Sequence, residues 1–172
     1  MQIYRSHILV CGGTGCVSGG SKDVIDEFQK ELERRKLDKE VLVVHTGCHG
    51  MCELGPIVVV YPEGTFYCRV QKTDVAELVE EHIYKGRPVS RLMYAGSEEM
   101  PVVPHYKEIP FYSKQERIAL ANCGYINPDN IDEYIARRGY EGLGKVLSGM
   151  TPAQVIDEMK ASGLRGRGGA GF

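Results

Sequence analysis

The feature that most constrains this chain is a set of two cysteine pairs, each threaded with glycine and each following a short apolar segment: "CGGTGC" at 11–16 and "CHGMC" at 48–52. The first follows Ser6 to Val10, which reads as a strand, and the second follows Val41 to Val44, a strand too apolar to be half-exposed. Between them Val24, Ile25, Phe28 and Leu32 make one apolar helical stripe, ringed by Lys22, Glu27, Lys30, Glu31 and Arg34. Strand, helix and strand over Ser6 to Val44 have the pattern of a βαβ crossover, whose two strands run parallel. Parallel neighbours end at one edge of the sheet, where open α/β sheets place their ligands. Four thiols are therefore expected to converge there without any long-range rearrangement.

The run "PIVVVYPEGTFYCRV" predicts two strands joined at Pro62-Glu63-Gly64-Thr65, an antiparallel hairpin. A helix then closes the unit. Thr73 is placed to cap it and Asp74 favours its positive end; Val75, Leu78, Val79, His82 and Ile83 recur at helical spacing until Gly86 and Pro88. His82, on that apolar face, reads as a packed core residue. The order β, α, β, β, β, α over residues 3 to 87 is an α/β arrangement of thioredoxin-like type. From Val89 to Pro110 three prolines, Pro101, Pro104 and Pro110, predict an irregular connector. Phe111 to Cys123 fits strand or helix equally; Asn127-Pro128-Asp129 starts a helix that Gly139 stops, and Tyr140 to Leu147 fits another. Thr151-Pro152-Ala153-Gln154 has the form of a capping box, with Val155, Ile156 and Met159 on one face and Gly163 as terminator.

Composition narrows the classes of function. A net charge of -2 gives no basic stripe for nucleic acid. No apolar run reaches the roughly 20 residues of a membrane helix, and "MQIYRSHILV" is not a signal peptide, so direct membrane insertion is not expected and a reducing cytoplasm is. There, 6 cysteines are poor disulfide candidates, and clustered ones bind metal or do redox work. Lone Cys68 and Cys123 read as small buried apolar groups.

Pair spacings of this size admit zinc, which would make a structural docking domain with no electron transfer. Iron and sulfur are favoured by Gly12, Gly13, Gly15, Gly47 and Gly50, which would let backbone N–H groups approach a bulky cluster and its sulfides. A thiol-disulfide enzyme needs a Cys-x-x-Cys dithiol, which the sequence lacks.

Cys-x4-Cys followed by Cys-x3-Cys on this β/α order resembles the thioredoxin-like [2Fe-2S] ferredoxin family over roughly the first half of the chain. The resemblance implies that Cys11, Cys16, Cys48 and Cys52 ligate a [2Fe-2S] cluster that passes single electrons and does no bond chemistry.

The tail "GLRGRGGAGF" at 163–172 contains Gly-x-Gly-x-x-Gly, but behind a helix rather than a strand, so the pattern alone fits a flexible cationic tail. With "IDEYIARRGYEGLGKVL" and "MTPAQVIDEMKASG" before it, the tail resembles the start of the flavin- and NADH-binding subunit of respiratory complex I and its soluble relatives, the NAD(P)-linked hydrogenases and formate dehydrogenases. That resemblance implies an FMN/NAD loop at Gly166, Gly168, Gly169, Ala170 and Gly171, with Arg165 and Arg167 meeting phosphate. A leading ferredoxin domain is similar to the beta subunit of a multimeric hydrogenase, the electron-bifurcating kind included. The implied organisation is a ferredoxin domain over 1–88, a connector over 89–110, and over 111–172 a mainly helical opening of an FMN/NAD(H)-binding domain. Its implied partners are a small thioredoxin-like ferredoxin subunit and an iron-sulfur catalytic subunit. The chain ends at Phe172, before most of the flavin fold, and is expected to be a piece that does no NAD chemistry alone.

Overall fold

The computed structural model describes residues 4–95, 102, 103, 105–166 and 168. Two compact units divide the chain, Met1–Asn130 and Ile131–Phe172. The first is built on a four-stranded sheet in the order β2-β1-β3-β4. Its strands are β1 (Ser6–Cys11), β2 (Val41–Thr46), β3 (Val58–Tyr61) and β4 (Thr65–Tyr67). As the crossover pattern requires, β1 and β2 are parallel, and β3 returns antiparallel against β1 and pairs with β4 in the expected hairpin. The register pairs Cys11 with Thr46, so the two parallel strands end at one level.

The sheet is covered on both faces, which is why its strands read as nearly unbroken apolar runs. Side chains alternate along each strand. Ile8, Val10, Val58, Val60 and Tyr67 face one core, where α2 (Ser21–Arg34) contributes Val24, Phe28 and Leu32. The helix α3 (Val75–Glu77), which runs on as a π-helical stretch at Leu78–Tyr84, adds Val75, Leu78, Val79 and Ile83 to that core. His82 packs there as expected, 2.8 Å from the Tyr67 hydroxyl through Nδ1. The start of this helix differs from the prediction. Thr73 lies inside a 3₁₀ turn, Lys72–Asp74, and it is the Asp74 carboxylate that accepts the Gln71 N–H at 2.7 Å. Gly86 ends the helix with φ +68, a left-handed conformation that glycine adopts without strain.

Leu9, Cys11, Ile57, Val59 and Phe66 face the other way, into a second core closed by Val103, Tyr106, Ile109 and Tyr112. The connector is irregular among the described residues, two 3₁₀ turns and isolated bridges, but it is packed. Isolated bridges tie Met93 to Tyr67, Val103 to Tyr94 and His105 to Thr65, so the described part of 89–110 runs beside β4 as a third layer. A short helix α4 (Pro110–Ser113), with proline in its first turn, continues that layer, and residues up to 130 belong to the first unit. Apolar side chains recurring every third residue, at 103, 106, 109 and 112, bury this segment.

The second unit holds α5 (Ile131–Ala136), α6 (Glu141–Gly149) and α7 (Pro152–Ser162). Thr151 and Gln154 form the reciprocal capping box at the start of α7, and Gly163 closes it at φ +63.

Candidate metal centre

Cys11 is the last residue of β1, where its N–H is bonded to Ile57 O at 3.0 Å while Gly12 N–H reaches Thr46 O at 2.9 Å. These bonds fix the loop that follows against the end of β2. Cys16 lies beyond it, inside a five-residue helix, α1 (Thr14–Ser18). Cys48 and Cys52 flank the turn after β2. Gly50 holds that turn at φ +87 and its N–H donates to Cys48 Sγ at 3.3 Å. A 3₁₀ turn, Cys52–Leu54, follows, and Arg69 N–H bonds Leu54 O at 2.7 Å, anchoring it to the chain leaving β4.

The thiols come together as two interacting pairs, Cys11 with Cys16 and Cys48 with Cys52, linked by an electrostatic interaction between Cys11 and Cys52. A Cβ placed on Gly13 would sit 2.8 Å from Cys48 Sγ and 3.6 Å from Cys11 Sγ, so sulfurs of both pairs border one small space. Gly15 and Gly55 border the other two, with Cβ positions 3.5 Å from Cys52 Sγ and 2.7 Å from Cys16 Sγ. Among the glycines singled out in the sequence, Gly13 and Gly15 thus shape the thiol site and Gly50 supplies an N–H donor. Gly12 and Gly47 serve packing instead: a Cβ there would meet the His45 ring at 2.1 Å and Cys123 Sγ at 3.0 Å. Gly55 was not singled out, because it stands outside both cysteine motifs.

Cys11 and Cys16 are buried, whereas Cys48 and Cys52 are exposed, so the site has an inner and an outer pair. Burial pushes the Cys11 thiol up to about 11, against the backbone N–H groups of His49 and Gly13 that hydrogen-bond its sulfur. Proximity to Cys48 raises Cys52. Cys11 and Cys52 therefore hold their protons more tightly than a free thiol, and a metal must displace those protons to bind.

Over the turn at 48–52 lies an aromatic lid that the sequence did not announce. The Tyr112 hydroxyl donates to His49 O at 2.8 Å, and Gly124 N–H bonds Thr46 Oγ1 at 3.2 Å. Tyr106 and Tyr112 stack with ring centroids 4.1 Å apart. The Arg117 guanidinium lies 5.3, 5.5 and 5.9 Å from the ring centroids of Tyr106, Tyr112 and Tyr125. His49 is buried beneath this lid with neither ring nitrogen hydrogen-bonded among the described residues, and burial lowers it to about 4, so it is neutral near pH 7.

Of the lone cysteines, Cys68 is buried and Cys123 half-buried against Gly47. At the chain's other end, Arg165 joins Val155, Ile156, Met159 and Leu164 around a groove of about 500 Å³. Gly166 and Gly168 follow it; Arg167, Gly169, Ala170 and Gly171 lie outside the described residues.

Four thiols, glycine-shaped space and N–H donors aimed at sulfur fit a two-iron cluster. Among the described residues no group of three or more His, Cys, Asp or Glu side chains is already placed to hold a metal ion.

Similarity to known proteins agrees with this chemistry. A 2Fe-2S ferredoxin of Clostridium pasteurianum is 45% identical over 96 residues, covering 51% of this chain and 94% of the ferredoxin. The HndC subunit of the NADP-reducing hydrogenase of Solidesulfovibrio fructosivorans is 71% identical over 59 residues, 34% of this chain and 12% of that subunit. An NADH-quinone oxidoreductase subunit of Escherichia coli (strain K12) is 50% identical over 42 residues, 24% of this chain and 9% of the subunit. The chain thus spans only a small part of the two subunits and nearly all of the ferredoxin. With the family model for thioredoxin-like [2Fe-2S] ferredoxin matching residues 2–82, on the fold and thiol site just described, the chain belongs to the thioredoxin-like [2Fe-2S] ferredoxin family.

Proposed function

We propose that this chain is an electron-transfer module in which Cys11, Cys16, Cys48 and Cys52 hold a [2Fe-2S] cluster. The observation that carries the reading is the meeting of two thiol pairs at the ends of two parallel strands, around space that Gly13, Gly15 and Gly55 keep open. When bound, such a cluster supplies one-electron oxidation and reduction without bond chemistry. The chain's own residues do the rest. Cys11 and Cys16 bury the inner side against Leu9, Ile57 and Phe66, excluding water. Cys48 and Cys52 present the outer side at the surface, the short route for an electron to a docked partner.

The parent reading is a beta-type subunit of a cytoplasmic, NAD(P)-linked hydrogenase complex, where a bound FMN would supply the link between two-electron and one-electron chemistry. Similarity to HndC and to the NADH-quinone oxidoreductase subunit supports it. In this reading residues 1–88 are the ferredoxin domain and 111–172 open the FMN/NAD(H) domain. Arg165 to Gly171 belong to its phosphate-facing loop, and the partners are a small ferredoxin subunit and an iron-sulfur catalytic subunit. A formate dehydrogenase or complex I-type parent is the alternative. No helix among the described residues is long and apolar enough to cross a membrane.

Anaerobic purification tests the module directly. Visible charge-transfer absorption and a rhombic EPR signal on reduction are expected, both lost when Cys16 is replaced by serine. A colourless protein with one zinc per chain overturns the assignment in favour of a structural docking domain.

A further inference from the structure

The aromatic lid meets the turn that carries the outer cysteine pair at the His49–Gly50 peptide. Gly50, at φ +87, turns its N–H towards Cys48 Sγ at 3.3 Å. The carbonyl of that same peptide belongs to His49, and it accepts the Tyr112 hydroxyl at 2.8 Å. A peptide whose carbonyl is hydrogen-bonded is polarised and becomes a stronger N–H donor. Water is kept from the Tyr112–His49 bond, since Tyr112 is only 7% exposed, while the N–H···S bond it acts on lies at the surface. Its ring is clamped 4.1 Å from Tyr106, 5.1 Å from Phe111 and 5.9 Å from Phe66, and Arg117 lies across it. The hydroxyl therefore has a fixed direction rather than a choice of partners.

We infer that Tyr112 is a positioning residue for the cluster: acting through the His49–Gly50 peptide, its hydroxyl strengthens the N–H···S bond to Cys48 and raises the reduction potential. This rests on the reading of the four cysteines as [2Fe-2S] ligands. The sign follows from charge. Reduction adds negative charge to the cluster and its sulfurs, so a stronger donor to Cys48 stabilises the reduced form more than the oxidised form. Tyr106 supplies an internal control, because its ring stacks on Tyr112 while its own buried hydroxyl makes no hydrogen bond to the His49–Gly50 peptide.

The test is an EPR-monitored redox titration of the full chain, comparing wild type with Tyr112→Phe and Tyr106→Phe. At the wild-type midpoint, Tyr112→Phe should lower the ratio of reduced to oxidised cluster by about two-fold, from a cooperative gain of 10–30% on a charge-assisted bond. With tenfold equal to 59 mV for one electron, that is about 18 mV towards negative potential. Tyr106→Phe should leave the midpoint in place. Should Tyr112→Phe fail to retain the cluster, 3-fluorotyrosine at position 112 keeps the ring and sharpens the donor, and the midpoint should rise. An unshifted midpoint in Tyr112→Phe or with fluorotyrosine, or an equal fall in Tyr106→Phe, overturns the inference while leaving the cluster assignment intact. Absence of any rhombic signal from the wild type removes that assignment, and the inference with it.

Discussion

Replacing Gly13 by alanine isolates what the missing side chain does for the thiol site. The backbone at Gly13 is ordinary extended chain, φ -61 and ψ 149, so alanine adds no conformational strain. What it adds is one methyl group, 2.8 Å from Cys48 Sγ and 3.1 Å from Cys48 Cβ. Carbon and sulfur at contact distance sit farther apart than this, so Cys48 must retreat by most of an ångström. In the free protein that retreat is cheap, because Cys48 is exposed on a turn, and we expect a stability loss of at most about 1 kcal/mol. With metal bound, ligand distances tolerate only about 0.2 Å, so the same displacement cannot be absorbed. Iron and acid-labile sulfide per chain after anaerobic reconstitution should fall at least about tenfold, the scale of defects around a metal site. Thermal melting of the metal-free variant checks that the fold survives. Gly142→Ala, where an added Cβ meets nothing within 4 Å, should load normally. A Gly13→Ala protein that loads fully, with an unchanged spectrum, refutes the idea that this glycine makes room for the cluster.

Three other outcomes follow from separate parts of the structure. Cys68→Ala should retain the cluster and lose only packing, about 1 kcal/mol in chemical denaturation, whereas Cys11→Ser should abolish iron binding. Tyr67→Phe removes the hydroxyl that bonds His82 Nδ1 at 2.8 Å and accepts the buried Val89 N–H at 3.1 Å, and should cost about 2 kcal/mol in urea unfolding. Glu31 is held below the usual carboxylate range by hydrogen bonding to Arg34 first, and by Arg35, against burial that acts the other way. A carboxyl depressed on folding contributes stability above its unfolded value near 4.5, and that contribution disappears as pH falls through the lower folded value. Glu31→Gln should therefore melt lower than wild type at pH 7, by about 1 kcal/mol, and the difference should close in acid.

The parts of the fold legible in the sequence are those where one period dominates. The α2 stripe at Val24, Phe28 and Leu32 and the Pro62 to Thr65 turn each rest on a single local rule, and the parallel strands follow from the helix between them. The capping box at Thr151 is likewise local. Cys11, Cys16, Cys48 and Cys52 could be grouped because strand ends fix loop positions. What could not be read was the third layer. Val103, Tyr106, Ile109 and Tyr112 bury themselves at a spacing of three, which matches neither strand nor α-helix, and prolines beside them signal irregularity rather than packing. Tyr112 and Arg117 meet the cysteine turn only through tertiary contact, and the roles of Gly12, Gly47 and Gly55 depend on neighbours distant in sequence. Thr73 was the natural cap by residue type, yet Asp74 reaches the Gln71 N–H instead.

The two thiol pairs are read as sharing a two-iron core rather than one ion. Iron-edge X-ray absorption on the anaerobically purified chain tests this most directly. A sulfur-only set of iron neighbours with a short iron–iron vector is expected, lost on Cys48→Ser with Cys52→Ser. A metal edge belonging to zinc, or iron with no second iron beside it, contradicts the two-iron core.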